Sequence, residues 1–200
     1  MRGGGLELRT AVHSISVSGP LAGWYDPSSG ALNHVALGDS GGHRPDNLIA
    51  NARLRVNGHV LLSHLTFTDS VPYCYLALVL DNSTNGAAPV AWNTVFHPIS
   101  GRAPIIQSSY YDSRYHVLDD VLLELPVPTV VHDTGTGITT SPDVYAPFSF
   151  DIDLAALNTH FVSSTASIAD ILDDSIHLLA VQGPGDPLDL AYYARHDFYA

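Results

Sequence analysis

Between residues 53 and 62 apolar and polar side chains alternate: Leu54, Val56, Val60 and Leu62 stand between Arg53, Arg55, Asn57 and His59. A period of two puts the apolar set on one face of a strand and the polar set on the other. Residues 148–154 repeat the pattern, with Phe148, Phe150, Ile152 and Leu154 separated by Ser149, Asp151 and Asp153. Both segments read as antiparallel strands with one face on a core and one in water. Weaker strand signals cover 6–17, 114–125, 159–164, 175–182 and 188–198, and the unbroken apolar run of 73–81 predicts a strand buried on both faces. Eight strands are therefore expected.

Turn chemistry separates them. Ser18-Gly19-Pro20, Asp26-Pro27-Ser28-Ser29-Gly30, Asn82-Ser83-Thr84-Asn85-Gly86, Asp133-Thr134-Gly135-Thr136-Gly137 and Gly183-Pro184-Gly185-Asp186-Pro187 all carry residues that accept or preset turn dihedrals. Helical periodicity is nearly absent. Short helical turns are expected at 89–96, where Pro89 suits a first turn, and at 167–173, where Ser167 is placed to cap. Eight strands joined by long, uneven loops fit an all-β, eight-stranded antiparallel jelly-roll sandwich better than a meander of tight hairpins. No repeat or linker divides the chain, so one domain over 1–200 is expected.

Composition narrows the class. With 46% hydrophobic and 14% charged residues, the chain departs from the low-hydrophobicity, high-charge signature of disorder. Its apolar runs, such as Leu76-Ala77-Leu78-Val79-Leu80, fall far short of the ~20 residues of a membrane-spanning helix. Met1-Arg2-Gly3-Gly4-Gly5 leads into Leu6-Glu7-Leu8-Arg9 without the apolar stretch of a secretory signal. The single cysteine, Cys74, lies in an apolar-aromatic run and reads as a small core residue. Eighteen Asp, two Glu, eight Arg and no Lys give a net charge of −12, as expected from GC-rich coding or a saline habitat. Protonating all eleven His would bring that to −12 + 11 = −1, which predicts association or precipitation near pH ~5.

Catalytic patterns are thin. Gly38-Asp39-Ser40-Gly41-Gly42 matches the nucleophile loop of chymotrypsin-like proteases, but only 39 residues precede Ser40, too few for the barrel that must supply the base and its carboxylate. His59 and His64 form no His-x-His pair with a following Glu, so a cupin-type metal enzyme is not expected. Asp119-Asp120 and Asp173-Asp174 are candidates for Ca²⁺ or Mg²⁺, which prefer carboxylate oxygens. Asn82-Ser83-Thr84 is a glycosylation sequon.

Four segments, in order, resemble the capsid proteins of small circular, Rep-encoding single-stranded DNA viruses (CRESS DNA viruses), the group around geminiviruses and circoviruses. In the first, a Gly-rich loop from Gly38, then Arg44 and Asn47, precede the strand Ile49 to Val60, with Pro45 and Asp46 where the family usually has glycine. The second and most specific is Leu78-Val79-Leu80-Asp81 followed by Thr84-Asn85-Gly86-Ala87-Ala88-Pro89. The third is Tyr111-Asp112-Ser113-Arg114-Tyr115-His116-Val117-Leu118-Asp119-Asp120, and the fourth joins Phe150-Asp151-Ile152-Asp153-Leu154, Ile176 to Val181 and Tyr192 to Phe198.

The resemblance implies a non-enzymatic coat protein of the virion, whose copies, about sixty or a multiple, close an icosahedral shell through repeated contacts. Its partners would be itself, a packaged ssDNA and a host receptor. Members typically carry a long Arg/Lys-rich N-terminal arm that neutralises the genome. The first twenty residues here hold only Arg2, Arg9 and Glu7, so no such arm is expected in 1–200. Arg53 and Arg55, two apart on one polar face, are the candidates for phosphate contact, and pairing with Asp on a neighbouring strand is the competing role. At −12 per subunit, a shell is expected to depend on salt or on Ca²⁺ or Mg²⁺ at Asp119, Asp120, Asp173 and Asp174. The alternative is a jelly-roll module binding carbohydrate or another ligand without catalysis, with Trp24, Tyr25 and Trp92 as its stacking platform.

Overall fold

The computed structural model describes residues 6–18, 21–24, 31–62, 72–84, 86, 95–97, 106–107, 114–125, 131–132, 139–140, 144–164, 167–183 and 187–200. In chain order the strands are β1 (Leu8–Val17), β2 (Ala22–Trp24), β3 (Leu48–Leu62), β4 (Tyr73–Asp81), β5 (Phe96–His97), β6 (Ile106–Gln107) and β7 (Tyr115–Glu124). They continue with β8 (Val131–His132), β9 (Thr139–Thr140), β10 (Val144–Asp153), β11 (Asn158–Phe161), β12 (Ile171–Asp173), β13 (Ser175–Gln182) and β14 (Leu188–Tyr199).

These strands form two main antiparallel sheets. The first runs β1-β14-β3-β11-β12, and the 15-residue β3 also pairs with β10. β10 occupies β3 from Arg53 to Leu62, and β11 takes the same strand at Leu48 to Ala50. The second sheet runs β2-β13-β4-β7, and two short ribbons pair β5 with β6 and β8 with β9.

Alternation explains the layering. Leu54, Val56, Val60 and Leu62 of β3 and Phe148 and Phe150 of β10 turn inward and meet Leu76, Leu78 and Leu80 of β4 and Ile176 and Leu178 of β13. Where Phe148 crosses β3 there is space only for Gly58: a Cβ there would stand 2.7 Å from the Phe148 ring and 2.4 Å from the Ala191 carbonyl oxygen. The run 73–81 is buried on both faces, as its lack of alternation predicts. Its other face sends Tyr75, Ala77 and Val79 into a second cluster with Val95, Phe96, Tyr115 and Leu179. A third cluster, with Ile49, Phe161, Ile171 and Phe198, fills one end of the first sheet.

All eight predicted strands fall on strands of the structure, with β10 starting earlier than expected and β11 ending sooner. The helical turn at 167–173 shrinks to a 3₁₀ turn, Ile168–Asp170, in which Ser167 makes no side-chain capping bond. Ile171 is fully buried and pairs with Phe161, so the segment gains more as strand β12 than a lone helical turn would supply. Of the turn expected at 89–96, residues 89–94 lie outside the described residues, and Phe96 belongs to β5. β2 escapes detection because three residues carry no period. Cys74 is a core residue, its thiol pushed up to about 12 by burial. Among the described residues no helix is long and apolar enough to cross a membrane.

Candidate functional site

The outward face of the first sheet gathers the charged side chains that alternation expels from the core. Register sets Arg195, Arg55 and Asp151 in one row across β14, β3 and β10, and Asp197, Arg53 and Asp153 in the next. Arg53 grips Asp151 through Nε and one Nη, and the Arg55 Nε lies 3.7 Å from the same carboxylate. Asp197, nearly buried at 6% exposure, accepts from Thr10 Oγ1 at 2.6 Å and Arg195 Nε at 2.9 Å, with an Arg55 Nη 3.7 Å away. The bonds from Arg53 hold the Asp151 carboxyl below its usual range and raise the guanidinium. Burial pushes the Asp197 carboxyl up, but hydrogen bonds from Thr10 and Arg195 outweigh it and leave that carboxyl low. Thus Arg53 and Arg55 do share a face, and both face Asp on neighbouring strands. A phosphate has to displace Asp151 before it can use the Arg53 fork.

The aspartate pairs lie on different sheets. Asp119 and Asp120 are on β7, the edge of the second sheet, where Asp119 accepts from the Asp120 amide and Asp120 bonds the Tyr75 hydroxyl. Asp173 ends β12, the edge of the first sheet, and accepts from the His160 amide and ring. Asp174 has φ +54°, and burial together with Asp173 raises its carboxyl. Among the described residues no group of three or more His, Cys, Asp or Glu is arranged to hold a metal ion.

Ser40 acquires an imidazole neighbour that sequence reasoning missed. Its Oγ contacts His43 Nδ1 in an exposed turn whose carbonyls, those of Ser40 and His43, accept from Arg9. No carboxylate orients the His43 ring among the described residues, so the third member of a triad is missing. The sequon is locked: Thr84 is fully buried, its hydroxyl bonding the Asp81 carbonyl and Ser175 Oγ. Tyr25 and Trp92 lie outside the described residues, and Trp24 is placed only as backbone, paired with Leu179.

Two arginines within the coat-like segments turn out to be clamps. Arg114 donates twice to buried Asp81, both at 2.8 Å, and Asp81 also accepts from the Ser83 amide, which fixes the turn after β4. In that turn Gly86, at φ +72°, donates its amide to Ile171, and a Cβ there would meet the Ala169 carbonyl oxygen at 3.0 Å. Arg44, fully buried, bonds Val35 O, Asp46 O, Asn47 Oδ1 and Ser163 O and stacks 4.0 Å over the Phe161 ring. The available signal for the surface pairs was the charge complementarity of the two alternating strands, Arg53/Arg55 against Asp151/Asp153. Arg44 had no comparable signal, because its partners are mostly backbone carbonyls.

No protein-family model matches the chain, and no curated protein matches it. Among solved structures, the crystal structure of the 60-mer BFDV capsid protein is similar over 98% of this chain and 93% of that one, at 7% identity and a TM-score of 0.33.

Proposed function

We propose that this chain is a viral capsid subunit, an eight-stranded jelly roll that assembles with copies of itself into an icosahedral shell around a small circular ssDNA genome. The carrying observation is strand order. Four long strands, β1-β14-β3-β10, make one layer and β2-β13-β4-β7 the other. Of these eight, each strand and the next lie in different sheets except β4 and β7, in the manner of two interlocked Greek keys, an arrangement used by viral coats, lectin domains and cupins.

The four coat-like sequence segments favour the first of these. They fall on β3, on β4 and its turn, on β7, and on β10, β13 and β14, and their marked residues Arg44, Asp81 and Arg114 hold the loops in place. The test is size. In buffer with salt and Ca²⁺ or Mg²⁺, which screens −12 per subunit, the full chain is expected to elute far above 21.4 kDa and to show rings in negative stain. A monomer under every salt condition overturns the proposal and favours the alternative, a ligand-binding module. Nucleic acid inside nuclease-treated particles tests the genome separately.

A further inference from the structure

Among the described residues the two main sheets end on five strands, β1, β10 and β12 in the first and β2 and β7 in the second. Four of these edges carry a defence against pairing with another chain. β10 holds Pro147, Asp151 and Asp153, β7 holds Asp119, Asp120 and Glu124, and β2 and β12 are three residues each. Proline, charge and shortness are the devices that blunt sheet edges. β1 has none of them: it runs ten residues, and 10–25 contain no Asp, Glu, Arg or Lys in a chain of net charge −12. Its backbone is also open. Glu7 and Ala200 exchange both backbone hydrogen bonds, so Arg9, Ala11, His13, Ile15 and Val17 turn their amides and carbonyls to β14. Thr10, Val12, Ser14 and Ser16 therefore turn theirs outward. The Thr10 amide bonds Gly41 O, where the turn at 38–43 closes the edge. Past it the amides and carbonyls of Val12, Ser14 and Ser16 have no partner among the described residues, and all three residues are exposed, Val12 at 50%.

We infer that this edge pairs with the β1 edge of a second copy, antiparallel about a two-fold axis at Ser14, and joins two first sheets into one. In that register Ser14 faces the second copy's Ser14 and Val12 faces its Ser16, so each of the three residues exchanges both backbone bonds with its partner. Neighbouring registers do worse. Centring on Val12 sets Ser14 against Thr10, whose amide already bonds Gly41 O, and centring on Ser16 sets Val12 against Pro20, which has no amide. The occupant follows from charge. Copies at −12 repel one another, and pairing brings backbones to ~4.8 Å, where like charges directly opposite are destabilising. Against β7 or β10 of another copy the strip meets carboxylates, whereas against itself it meets none. The pairing goes beyond the capsid reading, since a free dimer can use it as well as a shell.

Single cysteines in the full chain read the register. Ser14→Cys sets two thiols across the axis on Cα atoms ~5.5 Å apart, inside the ~4.4–6.8 Å that a disulfide spans. Val12→Cys sets its two thiols about 13 Å apart along the strands, out of reach. Cys74 is buried in the core and takes no part. With oxidised glutathione, Ser14→Cys is expected to form a covalent dimer on a non-reducing gel at least about tenfold faster than Val12→Cys, and Val12→Cys mixed with Ser16→Cys is expected to give the mixed dimer. Equal rates for Ser14→Cys and Val12→Cys overturn the inference. Ser14→Pro supplies a second reading: it removes one outward amide and no bond to β14, so the fold is kept and self-association in sedimentation is expected to weaken at least about tenfold. Association as strong as that of the wild type overturns the pairing. Particles whose Ser14→Cys subunits stay unlinked refute the edge pairing and leave the shell standing, and cross-linked dimers without particles do the reverse.

Discussion

The outward face of the first sheet and the interior beneath it handle polar groups in opposite ways. Above, Arg53, Arg55, Arg195, Asp151 and Asp197 are ionised and arranged in pairs, with Arg53 and Asp151 about half exposed. Below, Asn33, Asn51, Thr159 and His196 are neutral, and nearly every donor has an acceptor inside the protein. Water makes the difference. Exposed ion pairs contribute about 0–1 kcal/mol because solvent and salt screen them and long side chains lose entropy in pairing. A buried group that loses its partner costs about 1–3 kcal/mol because no water replaces it. The conspicuous charges are therefore the dispensable ones, and the inconspicuous buried amides hold the 31–47 segment on the sandwich.

The largest expected effect comes from Arg44, the one arginine that is fully buried among the described residues. Arg44→Met keeps most of the stem but strands Val35 O and Ser163 O and removes the stacking on Phe161. A loss of about 3–5 kcal/mol in urea denaturation is expected, the range for breaking a buried charged site. A loss under about 1 kcal/mol would mean that water reaches those carbonyls and that the two regions are not distinct. Next, Asn51→Leu leaves Thr159, the Leu157 carbonyl and His196 short of a partner and is expected to cost about 2–3 kcal/mol by the same measurement.

Acid separates the regions without a mutation. His196 has its folded pKa depressed to about 3, so below the unfolded value of 6.5 the unfolded chain binds more protons and stability falls as pH falls. By pH ~5 this one group removes about 2 kcal/mol, at ~1.4 kcal/mol per pH unit, and the loss levels off only below pH ~3. The surface carboxylates act elsewhere. Asp151 and Asp197 are depressed below 3.8, so their contribution is present above that value and is lost only as pH falls through their lower folded values. Asp174, with its raised carboxyl, works in the opposite sense and recovers some stability near pH ~4. Urea midpoints flat from pH ~7 to ~5 would sink the assignment of His196 as a buried neutral group.

How far the sequence could be read follows the same division. Alternation in 53–62 and 148–154 exposed β3, β10 and the face carrying Arg53, Arg55 and Asp151, because water enforces a period of two on half-buried strands. The doubly buried 73–81 was legible through its lack of that period. The buried polar groups left no pattern. Asn33, Asn51, Thr159 and His196 are scattered over the chain, and they meet only because β3 lies between β14 and β11 while residues 31–37 cross to β13. Arg44 looked like a loop residue of a Gly-rich segment, yet its acceptors are mainly carbonyls, which no side-chain pattern records. Ser167 shows the converse error: a good capping residue announced a helix that pairing with β11 replaced by β12.

The smallest expected effect belongs to Arg53, and it decides whether the paired face is inert toward nucleic acid. Arg53→Ala removes a bidentate bond to Asp151, but both partners are solvated, so the urea midpoint in ~0.15 M salt is expected to stay within error. The informative change is on the other side of the pair. Asp151→Asn removes the carboxylate that occupies the Arg53 fork and lies 3.7 Å from Arg55, leaving two guanidinium groups on adjacent positions of one strand face. A phosphate backbone is held by cations that displace its counterions, so the variant is expected to bind an ssDNA oligonucleotide more tightly than the wild type, with the gain fading as salt rises. Fluorescence anisotropy across a salt series measures this. Equal binding by both proteins would show that Asp151 does not silence these arginines; tight binding by the wild type that Arg53→Ala abolishes would show that a phosphate displaces the carboxylate unaided.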